Sequence, residues 1–397
     1  MALHVLIIPD KFKGTLTARA AAEAIARGWR RERAEDALSL LPMSDGGDGF
    51  GEVLSALLKA KIQRVHAVDA AHRRCVARWW WEPRTRTAII ESAAVIGLAM
   101  LPPKQFHPFQ LDTFGLGEVV RAATTRGAKR CLIGLGGSAT NDGGFGLARA
   151  LGWEFVDRKG ELIERWTGLS RLERIRVPRR RRWFSAVVAV TDVQNLLLGQ
   201  HGATRVYGPQ KGLRPRDFAL AERCLRRLAR VVKRQFGHDF ARQPGAGAAG
   251  GLGFGLLAFL GAELAPGFDL FARQAALERR LRAADLVVTG EGAIDRSTLM
   301  GKGVGQIAQR CRQLKIPCIA LAGMVGADLG AGTGFTQARA LTELTTAAQA
   351  KARPAYWLER LARQAAGQKS EGRNPRPERR PKTEIRKRLD PSLRGAS

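Results

Sequence analysis

Seven short apolar runs punctuate this chain, and five of them stop at a cluster of small and acidic residues. The runs cover residues 4–8, 37–41, 87–90, 130–133, 186–190, 285–288 and 317–321. Segments of helical period lie between them, at 17–30, 113–126, 218–236 and 301–313. Strands alternating with helices predict an α/β protein with mainly parallel sheets. In such sheets ligands bind beyond the carboxyl ends of strands. One glycine and aspartate cluster there is ordinary turn chemistry. Five at equivalent ends point to one or more shared clefts.

The longest cluster is GLGGSATNDGG at 134–144, between an apolar run and a helical pattern opening at Phe145. A glycine-rich loop ahead of a helix is an anion cradle, because its N–H groups approach a phosphate closely and the helix start is partly positive. Gly134-Leu-Gly136-Gly-Ser-Ala139 also fits a dinucleotide fingerprint, with Glu154 downstream. Asn141 and Asp142 would crowd that helix start. A Walker loop is excluded because no Lys-Ser/Thr follows the glycines. Galactokinase and homoserine kinase use a similar loop, but the other clusters here do not match theirs. Carboxylates at Asp45, Asp48, Asp192 and Glu291 are hard oxygen ligands suited to Mg²⁺. Lys11, Lys13, Lys211 and Lys302 supply positive charge, and 245–255 is a second glycine loop. These are the parts of phosphoryl transfer, in which the protein positions the reactants and offsets developing charge.

The formal net charge is +30. Such a surface attracts phosphates, nucleic acid and acidic partners without specificity. A solvated basic surface accounts for it more simply than a nucleic-acid partner. Five scattered cysteines without C-x-x-C argue against a disulfide framework or a zinc site and predict a reducing, cytoplasmic setting. The N-terminal ten residues read as a buried first strand rather than a signal peptide. The uncharged stretch 244–262 carries seven glycines, so a glycine loop and a short core helix are expected there rather than a membrane span. Residues 161–183 are charged and weakly periodic, and 369–397 hold ten basic and four acidic residues. Residues 367–397 are expected to form a basic disordered tail.

Taken in order, the clusters resemble the bacterial glycerate kinase family, of the glycerate 2-kinase type. The matching stretches are PDKFKGTLTA (9–18), PMSDGGDG (42–49), IGLGGSATNDGG (133–144) and TDVQN (191–195). They continue with YGPQKG (207–212), PGAGAAGGLG (244–253), ADLVVTGEGAID (284–295) and GKG (301–303). The resemblance implies ATP- and Mg²⁺-dependent phosphorylation of D-glycerate to 2-phosphoglycerate. It implies two α/β domains with an active-site cleft between them. One is discontinuous and Rossmann-like, at 1–66 and 283–366, and the other is inserted, at 67–282. Guided by these matches, Asp192 is the expected base, with Asp45 an alternative base or Mg²⁺ ligand beside Asp48. Lys13 and Lys211 would hold carboxylate or phosphates, and Gly137, Ser138, Thr140 and Asn141 would line the phosphate loop. Glu291 would organise metal or ribose, and Asp10 and Asp295 would complete the cleft. Small-molecule substrate is the expected partner, with no membrane and a homodimer left open. Phe106, Leu196 and Ala293 depart from the family's usual Arg, Pro and basic residue. A kinase of another short hydroxy acid, or a catalytically weakened homologue with basic segments that bind nucleic acid, stays open on that account.

Overall fold

The computed structural model describes residues 1–368, apart from Asp45, 300–302 and 327–332. Thirteen strands are present among them: β1 (His4–Pro9), β2 (Ala37–Leu40), β3 (Lys61–Val68), β4 (Arg74–Glu82), β5 (Thr87–Glu91), β6 (Arg130–Gly134), β7 (Glu154–Val156), β8 (Arg174–Arg176), β9 (Ala186–Val190), β10 (Glu263–Ala265), β11 (Leu286–Ile294), β12 (Cys318–Val325) and β13 (Gln337–Ala340). They form a five-stranded sheet ordered β13-β12-β11-β1-β2, a six-stranded sheet ordered β10-β9-β6-β5-β4-β3, and the small pair β7-β8.

The five-stranded sheet is parallel throughout. The interior strand β1, between β11 and β2, shows why. Val5 and Ile7 sit in one core with Ala21, Trp29 and Leu361, while Leu6 and Ile8 sit in another with Phe268 and Ile307. A strand buried on both faces reads as a continuous apolar run, the mark of a parallel sheet covered by helices. Thr17 starts the Ala18–Glu32 helix by accepting a hydrogen bond from the Ala20 N–H at 3.1 Å.

The six-stranded sheet is mixed. β5, β6, β9 and β10 run parallel, and β3 and β4 join them antiparallel. The β3-β4 hairpin was not expected from the sequence. β3 also crosses the anticipated 66/67 boundary and lies in this second sheet. Its burial comes from β4, whose Trp79, Trp80 and Trp81 are all buried. On the other side, Phe268, Phe271, Leu277 and Leu281 pack into the core of the five-stranded sheet.

A second difference concerns 289–295, expected as a turn. β11 continues through Ile294, paired with β12 as far as Ile294 opposite Val325. β1 leaves β11 at Gly290, so the last four residues of β11 project past β1 with β12 as their only partner among the described strands. The stretch 244–262 is a glycine loop and a short core helix, as expected. The assigned helix Ala248–Leu260 is interrupted at Ala249, Gly250 and Gly251, which all have positive φ. No described helix is long and apolar enough to cross a membrane.

Candidate active site

The glycine loop begins where β6 ends. The Leu135 N–H donates to Val190 O at 2.9 Å, the Leu98 N–H to Gly137 O at 2.7 Å and the Ala139 N–H to Ile96 O at 2.9 Å. The backbone is thus fixed by its neighbours. Ser138 and Thr140 are buried, and their hydroxyls lie 2.8 Å apart. Gly137 has φ +58°, and a β-carbon there would come within 2.5 Å of Asp48 Oδ1. The backbones themselves meet at Gly136, where a β-carbon would stand 2.7 Å from Gly47 Cα of the 46–49 turn.

Behind the hydroxyls sits Lys211, at the end of the Ala203–Lys211 helix and only 6% exposed. Its ammonium donates to Thr140 O at 2.6 Å. Burial pulls its pKa from 10.5 down to about 7, and the Asp142 charge pulls the other way. Asn141 donates from Nδ2 to Thr204 Oγ1 at 3.1 Å, while its buried Oδ1 has no hydrogen-bond partner. A buried orphan acceptor is costly unless something meets it. Asp142 is not available as a base. It accepts from the Thr113 N–H and hydroxyl at 3.0 and 2.8 Å and from the Gly144 and Gly146 N–H groups at 3.2 and 2.9 Å. Burial, aided by Asp112, still lifts its pKa to about 6. Gly250 packs closely against this group, since a β-carbon there would stand 1.9 Å from Thr140 O and 2.8 Å from Lys211 Nζ.

The turn after β2 meets this loop from the five-stranded sheet, while Lys13, Asp192, Glu291 and Asp295 make contacts elsewhere. The turn after β2 approaches the end of β9, as a β-carbon on Gly46 would lie 3.0 Å from Val190. Lys11 Nζ, after β1, donates to Asp48 O at 3.4 Å. Asp10 Oδ1 accepts from the Lys11 N–H at 2.7 Å. Lys13 is exposed, and its backbone abuts Gly292, where a β-carbon would lie 3.3 Å from the Lys13 backbone nitrogen. Glu291 Oε1 accepts from Thr298 Oγ1 at 2.8 Å, and Asp295 Oδ1 from the Thr298 N–H at 3.3 Å. Asp192 is exposed beyond β9 and accepts from the Gly267 N–H at 2.7 Å. Ser138, Thr140, Asn141 and Lys211 therefore form one group, and Lys11, Asp48 and Gly137 bridge it towards the five-stranded sheet. Asp45 and Lys302 lie outside the described residues.

Sequence reasoning missed Glu91. Its two carboxylate oxygens accept from the Gly49 and Gly51 N–H groups at 2.9 and 3.0 Å, at the start of the Phe50–Leu58 helix. Burial raises its pKa, with Asp48 and Glu52 adding to the effect. The only signal was position: Glu91 follows an apolar run directly. Thr204 was also missed, because nothing in the sequence ties it to Asn141.

These residues fit a bound nucleotide phosphate. The Lys211 ammonium and the Ser138 and Thr140 hydroxyls can donate to phosphate oxygens, whereas the orphaned Asn141 Oδ1 is an acceptor and would meet a hydroxyl donor of the nucleotide or substrate. No group of three or more His, Cys, Asp or Glu residues gathers as a metal site among the described residues. Asp48, beside Gly137, is a hard oxygen donor of the kind Mg²⁺ takes alongside phosphate oxygens.

Glycine-lined loops at strand carboxyl ends, with a buried lysine among hydroxyls, define a phosphate-handling α/β enzyme. The glycerate kinase family profile matches residues 5–369. A glycerate kinase of Bacillus subtilis (strain 168) is 38% identical over 333 residues, covering 83% of this chain and 87% of that protein. The glycerate 2-kinase of Escherichia coli K12 is 35% identical over 337 residues, covering 83% and 87%. The crystal structure of a protein described as glycerate kinase 2 from Salmonella typhimurium LT2 superposes with a TM-score of 0.78 at 34% identity, covering 92% of this chain and 98% of that one. The chain belongs to the glycerate kinase family.

Proposed function

We propose that this enzyme transfers the γ-phosphoryl group of ATP to the 2-hydroxyl of D-glycerate, forming 2-phosphoglycerate and ADP. The observation that carries the reading is the buried group of Lys211, Ser138, Thr140 and Asn141, with Gly250 packed against it. Lys211 and the loop N–H groups from Gly137 onward hold phosphate oxygens and offset the charge that builds as the terminal phosphate leaves. Asp192, exposed and steadied by Gly267, takes the proton of the attacking hydroxyl. Lys13 holds the glycerate carboxylate, and Asp10, Glu291 and Asp295 order the projecting end of β11. Mg²⁺, held by Asp45 and Asp48, would neutralise phosphate oxygens. The five-stranded and six-stranded sheets support two domains, with 1–66 and 283–366 on one side and 67–282 on the other. Their carboxyl ends would bound a cleft whose closure excludes water.

A coupled assay of ADP release with D-glycerate, followed by identification of the phosphorylated carbon, tests the reaction. Asp192→Asn should lower kcat by about 10²-fold or more while the thermal unfolding midpoint stays in place. Wild-type kcat in that variant removes Asp192 from the role of base. One observation favours a second reading, a different short hydroxy acid. Phe106, where the family resemblance implies an arginine, lies under the Arg73 guanidinium at 5.4 Å, and Pro108 of the same loop adjoins Gly212. A panel of hydroxy acids in the same assay separates the two.

A further inference from the structure

A cavity of about 1240 Å³ opens along the Pro215–Phe236 helix, and eight of its fifteen lining residues are basic. The helix explains the pattern. Ala221, Cys224, Leu225, Leu228 and Val232 are buried on one stripe. Glu222, Arg223, Arg226, Arg227 and Arg230 recur at the three- and four-residue spacing that stacks side chains on the opposite face. Arg227 pairs with Glu173 at 2.6 Å. Among the described residues, Arg171, Arg205, Arg223 and Arg230 are in no ion pair. Like charges stacked one turn apart repel, so this stripe weakens its own helix unless an anion lies against it. Of the three acidic lining residues, Asp157 is engaged by the Lys159 and Glu161 N–H groups of its own turn. Glu222 is 6% exposed and its Oε1 has no partner. An orphan acceptor inside a basic cavity calls for a ligand that brings hydroxyl donors as well as negative charge.

We infer that this cavity is a second anion site, apart from the glycine loop, for a small phosphorylated polyol that acts as an effector. A concave pocket suits a small molecule, whereas single-stranded nucleic acid is held along an extended groove with stacking aromatics. The route to the reaction is short. Arg205 lines the cavity from the exposed face of the Ala203–Lys211 helix. The buried face of that helix carries Thr204, which holds Asn141, and Lys211, which holds Thr140. A ligand bridging Arg205 and the stripe fixes this helix, and so changes how the phosphate loop receives ATP. The effector role rests on the reading of that loop given above, but the binding does not.

Calorimetry on the full chain with fructose 1,6-bisphosphate as probe reads the binding without any assay of activity. The expected result is one site per chain, weakened at least tenfold in the Arg223→Ala/Arg230→Ala double variant and within twofold of wild type in Lys211→Met. The same probe should shift the apparent KM for ATP at least twofold in wild type and leave the double variant unmoved. Without the probe, the double variant should keep wild-type kcat. Equal affinity in wild type and the double variant, no 1:1 binding, or binding with an unchanged KM overturns the inference. Tighter binding of a 20-nucleotide single-stranded RNA, lost in the double variant, also overturns it and makes the stripe a nucleic-acid surface.

Discussion

Lys211 sits where holding a charge is hardest, enclosed by backbone and glycine, and its pKa near 7 follows from that enclosure. In the unfolded chain its pKa returns to 10.5, so between about 7 and 10.5 the unfolded state binds more protons than the folded state. Stability therefore rises with pH across that window through this group. Lys211→Met should flatten the rise, which melting curves between pH 6 and about 10 will show. Activity should carry the opposite slope. In the free enzyme the lysine loses its proton as pH passes about 7, so kcat/KM for ATP should fall there, whereas kcat should hold to higher pH because a bound phosphate keeps the ammonium charged. Coincident limbs in the two profiles would remove Lys211 from the phosphate site. The residues of this group were legible because they come in quotable runs, SATN and YGPQKG. Glu91 and Thr204 were not, since each acts across 40 or more residues of chain through one hydrogen-bond partner or a neighbouring pair.

At the scale of elements, the two glycine-bearing breaks behave differently. Gly250 has φ +73° and no room for a β-carbon, while Gly237, ending the Pro215–Phe236 helix, has φ +78° and open space around it. Gly237→Ala should cost about 1 kcal/mol from backbone strain alone and leave kcat unchanged. Gly250→Ala carries that strain and displaces Thr140, so it should destabilise by about 3 kcal/mol or more and depress kcat as well. Urea unfolding and the coupled assay read both. Six of the seven strands read from the sequence are largely buried apolar runs, and the seventh, the part-exposed edge strand β2, is apolar enough to be read with them. The β3-β4 hairpin could not. β3 is an edge strand with Lys61, Ile62, Arg64 and His66 exposed, and the WWW of β4 breaks any alternation. The extension of β11 was hidden for another reason: its TGEG looks like turn chemistry, and only pairing with β12 makes it a strand.

In the whole molecule, Phe50 and Leu54 of the helix after β2 share a buried cluster with Trp80, Ile89 and Leu132 of the six-stranded sheet, and Glu91 adds a polar tie there. It ends a strand of the six-stranded sheet and caps the helix that follows β2 of the other. Glu91→Gln removes one of the two acceptors and should cost about 1–2 kcal/mol, with a raised KM for glycerate because the 46–49 turn loosens. An unchanged unfolding midpoint would show the cap to be idle. The residues assigned to the reaction all precede residue 369, where the family match ends. A chain ending at Gln368 should therefore keep wild-type kcat/KM.

β1 lies between β2 and β11 in the five-stranded sheet, yet β11 begins at Leu286, some 280 residues later. A ribosome makes about 5–20 residues per second, so this strand waits at least ~14 s with one flank bare. Through that interval its apolar sequence, VLII, is an open template for a neighbouring nascent chain. Crowded polysomes and slow translation should thus lower the soluble yield, and holdase chaperones should restore it.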